Sequence, residues 1–166
     1  MASRTHQTPA APPTGQPTPP VGVPRRLLIA SAAFGPTLSA AAVANAIARG
    51  IQDGGLPEPD LCVLPVPGED GAEVREMLDE LGFDARMRRA RAVVIGTERL
   101  QEATLAGSVT FEIATRARQG GVPAYAVTGA NALSAFDARI LDLQLILQAS
   151  SRTALVAAGR KLAGLA

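Results

Sequence analysis

The sequence predicts an α/β protein: one doubly wound domain of three layers, with a mostly parallel sheet of about five strands between two layers of helices. Three observations predict it. Five short apolar runs lack the alternation of a sheet that is wet on one face, as strands buried on both faces do. Between them lie apolar stripes at helical spacing. Glycines close those stripes at Gly54-Gly55, Gly82 and Gly120-Gly121, where helices end.

Taken in order, residues 26–30 (RLLIA) form the first strand. Leu38, Ala42, Ala46, Ile47 and Ile51 then recur at helical spacing until Gly54. Residues 61–65 (LCVLP) read as a second buried strand. Val74, Met77, Leu78 and Leu81 occupy one helical face and stop at Gly82, as a helix with a glycine cap does. Residues 92–95 (AVVI) give the third strand. Leu105, Val109, Ile113 and Ala117 make the next helix. Residues 122–127 and 141–147 are the last two strands, with a short helix over 131–136 between them. Ser151 caps a final helix that carries Leu155, Ala158, Leu162 and Leu165 on one face. The stripe between Leu61 and Ala92 argues against pairing those two runs as a tight hairpin. The result is a Rossmann- or flavodoxin-like domain over residues 25–166.

Composition narrows the function. The 166 residues are 47% hydrophobic and 19% charged, enough for one real core and too few for two. Sixteen basic residues against 15 acidic ones argue against a nucleic-acid partner. No run approaches the roughly 18 apolar residues of a membrane span. With no Trp, one Tyr and four Phe, stacking platforms for bases or sugars are nearly excluded. A lone Cys62 excludes an internal disulfide and, inside a strand, reads as a buried inert thiol. The expected location is the cytoplasm.

Residues 1–24 stand apart. They hold seven of the 13 prolines and one charge, Arg4, and predict a disordered Pro-rich tail that can be deleted without lowering the melting temperature. They contain no apolar core of a signal peptide. With Arg4 set aside, 15 basic residues balance 15 acidic ones.

In doubly wound sheets ligands bind beyond the carboxyl ends of the strands. That directs attention to five loops, at 31–37, 66–72, 96–102, 128–131 and 148–150. They contain neither a GxGxxG fingerprint nor a GxxxxGK[ST] cradle. A phosphoacceptor site would want acids after the first strand, where Ala30-Ser31 stand. The single His6 lies in the tail, so a His-based triad or metal site has nothing to build on.

The loops do resemble something. Residues 28–40 (LIASAAFGPTLSA), running into an Ala-rich helix through Ile51, resemble the opening APDSFKGSLSA motif of the bacterial glycerate kinase family. Leu64-Pro65-Val66 with Gly68-Glu69-Asp70-Gly71 resembles its LPVADGGEGT signature. Residues 94–108 (VIGTERLQEATLAGS) resemble ITGEGRLDxQTLxGK. Gly121-Val122-Pro123, then Ala126-Val127-Thr128-Gly129, matches its GVPV and AxxG strand. The resemblance implies a phosphotransferase using ATP and Mg²⁺ on glycerate. It also implies a much longer chain, with a second domain between the second and third signatures, where only residues 72–91 stand here.

Charged positions of the resembled motifs are replaced. Ala32 and Gly35 stand for the Asp and Lys of the first, GEDG for DGGEG, and Gln101 and Ser108 for the Asp and Lys of the third. Each charge of that kind is worth about 3 kcal/mol to phosphoryl transfer. The expected protein is therefore a degenerate, non-catalytic small-ligand or subunit-binding relative. The alternative is an active kinase whose missing domain comes from a partner chain. Expected partners are a small molecule or anion, and a second copy or partner subunit.

The candidate site residues each carry a plainer role beside the functional one. Ser31, Thr37 and Ser39 precede a helix and suit capping or an anion. Glu69 and Asp70 open the next helix, where acids favour its dipole, and are the carboxylates available to a metal; Gly68 and Gly71 flank them. Glu98 and Arg99 suit a mutual surface pair or a ligand contact. Thr128 sits in a turn or at a ligand. Arg86, Arg88, Arg89 and Arg91 form a basic cluster that reads as a solvated helix end or a phosphate site.

Overall fold

A computed structural model describes residues 25–66, 70–102 and 107–166; the tail, Gly68 and Glu69 of the expected site and Leu105 lie outside the described residues. Five strands form one parallel sheet: β1 (Leu28–Ser31), β2 (Asp60–Val63), β3 (Val93–Leu100), β4 (Ala124–Asn131) and β5 (Leu143–Gln148). Their spatial order is β2-β1-β3-β4-β5, the flavodoxin-like order of a doubly wound sheet. The runs at Leu61 and Ala92 do not pair, because β1 lies between them.

Helices cover both faces. On one lie α1 (Ala40–Asp53) and α6 (Arg152–Ala163), burying Val43, Ile47, Ile51, Leu155 and Leu162 against the sheet residues Ile29, Val94 and Val127. On the other lie α2 (Gly71–Glu80), α3 (Phe83–Arg89) and α4 (Val109–Gln119), burying Val74, Leu78, Phe83 and Ile113 against Leu28, Val93 and Ile95. The short α5 (Ala135–Ile140) follows β4 and buries none of its residues. Alternate residues of each strand serve alternate faces, which is why the strands read as continuous apolar runs.

Several elements differ from the sequence reading, among them the last strand, which starts at Leu143 rather than Leu141. Gly82, at φ +62°, ends α2 but also starts α3, a helix the periodicity did not separate. The short helix expected over 131–136 lies further on, as α5. The third and fourth strands run past their apolar segments. Thr97, Arg99 and Leu100 pair with Thr128, Ala130 and Asn131, so 96–100 and 128–131 are strand rather than loop. β1 ends opposite Gly96 and β5 ends opposite Thr128, so the extension is a two-stranded ribbon projecting from the sheet.

The basic cluster also has a structural member. Arg86 forks onto Asp60, with Nε donating at 2.8 Å and Nη2 at 2.6 Å, and Nη2 also donates to the Leu61 carbonyl. This clamps α3 to β2. The bond to Arg86 holds the Asp60 carboxyl below its ordinary range against the opposing effect of burial. Arg116 of α4 joins Asp79 of α2 at 2.7 Å, Asp84 of α3 at 3.1 Å and its own Glu112 at 3.0 Å. Burial alone would lower that guanidinium's pKa; its three carboxylate bonds raise it. Cys62 is fully buried, and burial pushes its thiol up, as an inert core cysteine requires.

Candidate functional site

The connections from β1 and β3 leave toward opposite faces, so a crevice opens at their carboxyl ends. A cavity of about 260 Å³ fills it. Its walls are Ala32 after β1, Leu64 after β2, Ile95, Gly96, Thr97 and Arg99 of β3, and Gln101 beyond it. Ser108, Val109 and Thr110 at the start of α4 close the remaining side. Gly96 permits the closeness of β1 and β3, because a Cβ there would lie 2.9 Å from the Ser31 Cβ and overlap its hydroxyl. The Ala32 N–H donates to the Gly96 carbonyl at 2.9 Å, which fixes the crevice wall.

Helices run back against the strands, so their starts gather at this edge. Ser39 caps α1, accepting from the Ala42 N–H at 3.2 Å. Asp70 caps α2 through the Ala72 N–H at 3.0 Å. Ser108 caps α4 through the Phe111 N–H at 3.1 Å. The starts of α2 and α4 are adjacent: a Cβ on Gly71 would come within 3.7 Å of the Gly107 Cα. Their dipoles and free amide groups favour negative charge nearby.

The expected site residues divide accordingly. Arg99 lines the cavity, and Gly71 and Asp70 stand at the helix starts beside it. Ser31 is fully buried and donates to the Ala32 carbonyl at 3.0 Å. Thr37 lies in an exposed turn closed by the Phe34 N–H on the Leu38 carbonyl at 2.8 Å. Thr128 is buried in β4, its hydroxyl 3.0 Å from the Ala130 carbonyl and 3.3 Å from that of Glu98, which ties the ribbon together. Glu98 and Arg99 form no ion pair, because consecutive strand residues point to opposite faces. Glu98 instead lines a second cavity of about 200 Å³ with Phe34, Gly129 and Ser150, and Arg99 borders both.

Sequence reasoning did not single out Thr97, Thr110 or Ser150. The signal for Thr97 was present: it continues the alternation of Ile95 and Arg99 on one face of β3. Ser150 ends one of the five loops that the sequence places at this edge, whereas Thr110 is brought in by the start of a helix, and local pattern carries no such information.

Fold and crevice define a doubly wound α/β protein with a small, arginine-bordered site at the switch in strand order. The family model described as the glycerate kinase family matches residues 54–158, well over half of the chain. The chain belongs to that family. No curated protein matches it. The matched span includes the second and third signatures and the GVP strand; the first motif, at 28–51, precedes it. Among the described residues no helix is long and apolar enough to cross a membrane.

Proposed function

We propose that this chain is a non-catalytic glycerate kinase relative whose carboxyl-edge crevice binds a small anion. One observation carries the reading. Ala32 of the first resembled motif, and Gln101 and Ser108 of the third, stand where those motifs carry charge and line the same cavity. Replaced charges of two motifs far apart in the chain fall at one place in space.

The family implies ATP and Mg²⁺, and the donor set of the crevice does not suit the metal. Magnesium is held by carboxylates and water. The described lining residues supply hydroxyls, an amide and the Arg99 guanidinium, and no carboxylate. The Asp70 carboxylate already accepts the Ala72 N–H. A guanidinium beside two helix starts suits an anion. Amide groups at those starts need no side-chain charge, so binding outlasts catalysis. Phosphoryl transfer requires preorganised cations and a water-excluded cleft, and these motifs have lost the lysines that would supply the cations.

A coupled assay with ATP, magnesium and glycerate tests this. The expected outcome is no turnover, together with a thermal shift on adding ATP that Arg99→Ala weakens. Turnover near an ordinary ~10 per second, abolished by Glu69→Ala or Asp70→Ala, would overturn it. That result would instead favour the active-kinase alternative, which family membership supports.

A further inference from the structure

We infer a second anion site at the opposite, amino-terminal edge of the sheet, built to hold a phosphate group. A cavity of about 210 Å³ lies there, lined by Arg26, Leu27, Asp60, Arg86, Arg89 and Ala90. Three guanidinium groups face one carboxylate. Arg26 precedes β1, while Arg86 and Arg89 come from the last turn of α3, so two distant segments converge. Arg26 and Arg89 line the same cavity as the Asp60 carboxylate, and both favour its charged form.

The single carboxylate does not satisfy the cluster. Asp60 is taken up by the two-pronged bond from Arg86. Arg89 donates its Nε to the Ala85 carbonyl at 3.2 Å, and no carboxylate among the described residues pairs with it. Arg91 joins the group through backbone, its N–H donating to the Arg26 carbonyl at 2.9 Å. The dipole at the end of α3 accounts for arginines in that helix's last turn. It does not account for Arg26, which belongs to another element. An anion between Arg26 and Arg89 would relieve their repulsion, and planar guanidinium groups match phosphate oxygens.

A volume of about 210 Å³ suits a phosphate or a phosphomonoester head. Arg86, held rigid by Asp60, forms the wall against which the ligand sits. The inference is independent of the carboxyl-edge site, since the two lie at opposite ends of the strands.

The test measures binding of inorganic phosphate and of pyrophosphate to the full chain at low salt. The Arg26→Gln/Arg89→Gln double variant leaves the Arg86–Asp60 clamp intact. It should weaken phosphate binding by roughly tenfold or more, while Arg99→Ala leaves this site unchanged. NMR of the arginine side-chain N–H groups in the unaltered protein gives a second readout that needs no variant. Phosphate should move the Arg26 and Arg89 signals together along one saturating curve. Phosphate affinity unchanged in the double variant, or Arg26 and Arg89 signals unmoved by millimolar phosphate, would overturn the inference. Pyrophosphate should bind at the same arginines, and pyrophosphate affinity unchanged in the double variant would count against the site.

Discussion

The two faces of the sheet are held by different physics. On one, α1 and α6 cross at Gly50 and Gly159, where backbone meets backbone. A Cβ on Gly159 would lie 2.9 Å from the Gly50 Cα, and one on Gly50 would overlap the Val156 carbonyl oxygen. The other face is stapled by arginines: Arg116 gathers carboxylates from three helices, and Arg86 ties α3 to β2. Shape dominates the first face, where the ion pair between α1 and α6, Asp53 with Arg160 at 3.0 Å, is solvent-exposed, so salt and pH should matter little there. Charge secures the second, which is also the face that opens into the 260 Å³ crevice. A layer built from hydrogen-bonded charges between short helices can hold its parts together around a cavity. The glycine crossing itself leaves no room for one, and the cavity on that face lies away from it, lined by Ile146 and Leu147 of β5 and Ala154 and Ala158 of α6.

The sharpest way to break this contrast is to spoil the crossing. Gly159→Val should cost about 4 kcal/mol or abolish folding, because the added side chain meets backbone that cannot move aside. Circular dichroism melts would show it, with a loss that does not change with salt. A salt-dependent or sub-kilocalorie effect would dissolve the contrast.

Next comes the charged face. Arg116→Ala removes a guanidinium whose side chain is only 11% exposed and leaves three carboxylates facing each other. A loss of about 2–3 kcal/mol is expected, and it should shrink as salt screens the charges. Urea titrations at low and high salt would measure both parts.

Asp60 gives a smaller, pH-defined effect. Its folded pKa is lowered by Arg86, so its contribution is present above the ordinary carboxylate range and fades as pH falls through the folded value. Asp60→Asn should cost about 1 kcal/mol at neutral pH and flatten the acid limb of the stability curve. An unchanged acid limb would show that the clamp contributes nothing.

Arg99→Ala should hardly alter stability, by about 0.5 kcal/mol or less for an exposed strand residue. Its effect is reserved for anion binding at the crevice. A large drop in melting temperature would recast Arg99 as a structural residue of the ribbon.

Much of this fold is legible in the chain. Continuous apolar runs and helical stripes locate five strands and most helices, because burial on both faces leaves an unmistakable pattern. Ser39, Asp70, Ser108 and Ser151 cap their helices through local bonds. The ribbon at Thr97–Arg99 and Thr128–Ala130 is not legible, since its mixed polar and small residues make no apolar run and are joined by backbone pairing and the buried Thr128 hydroxyl. Of the site, Arg99 and the helix starts could be named in advance. Their gathering with Ala32, Gln101 and Thr110 could not.

By itself, then, the sequence determined which segments are strand and helix, and the family motifs with their charged positions replaced. Hydrophobic periodicity and capping act over a few residues and are written locally. The tertiary structure decided strand order, the glycine crossing of α1 on α6, the partners of Arg86 and Arg116, and the cavity that Arg26 shares with Arg89. Each depends on segments tens of residues apart being brought into contact, and no local pattern encodes which distant neighbour a side chain will find.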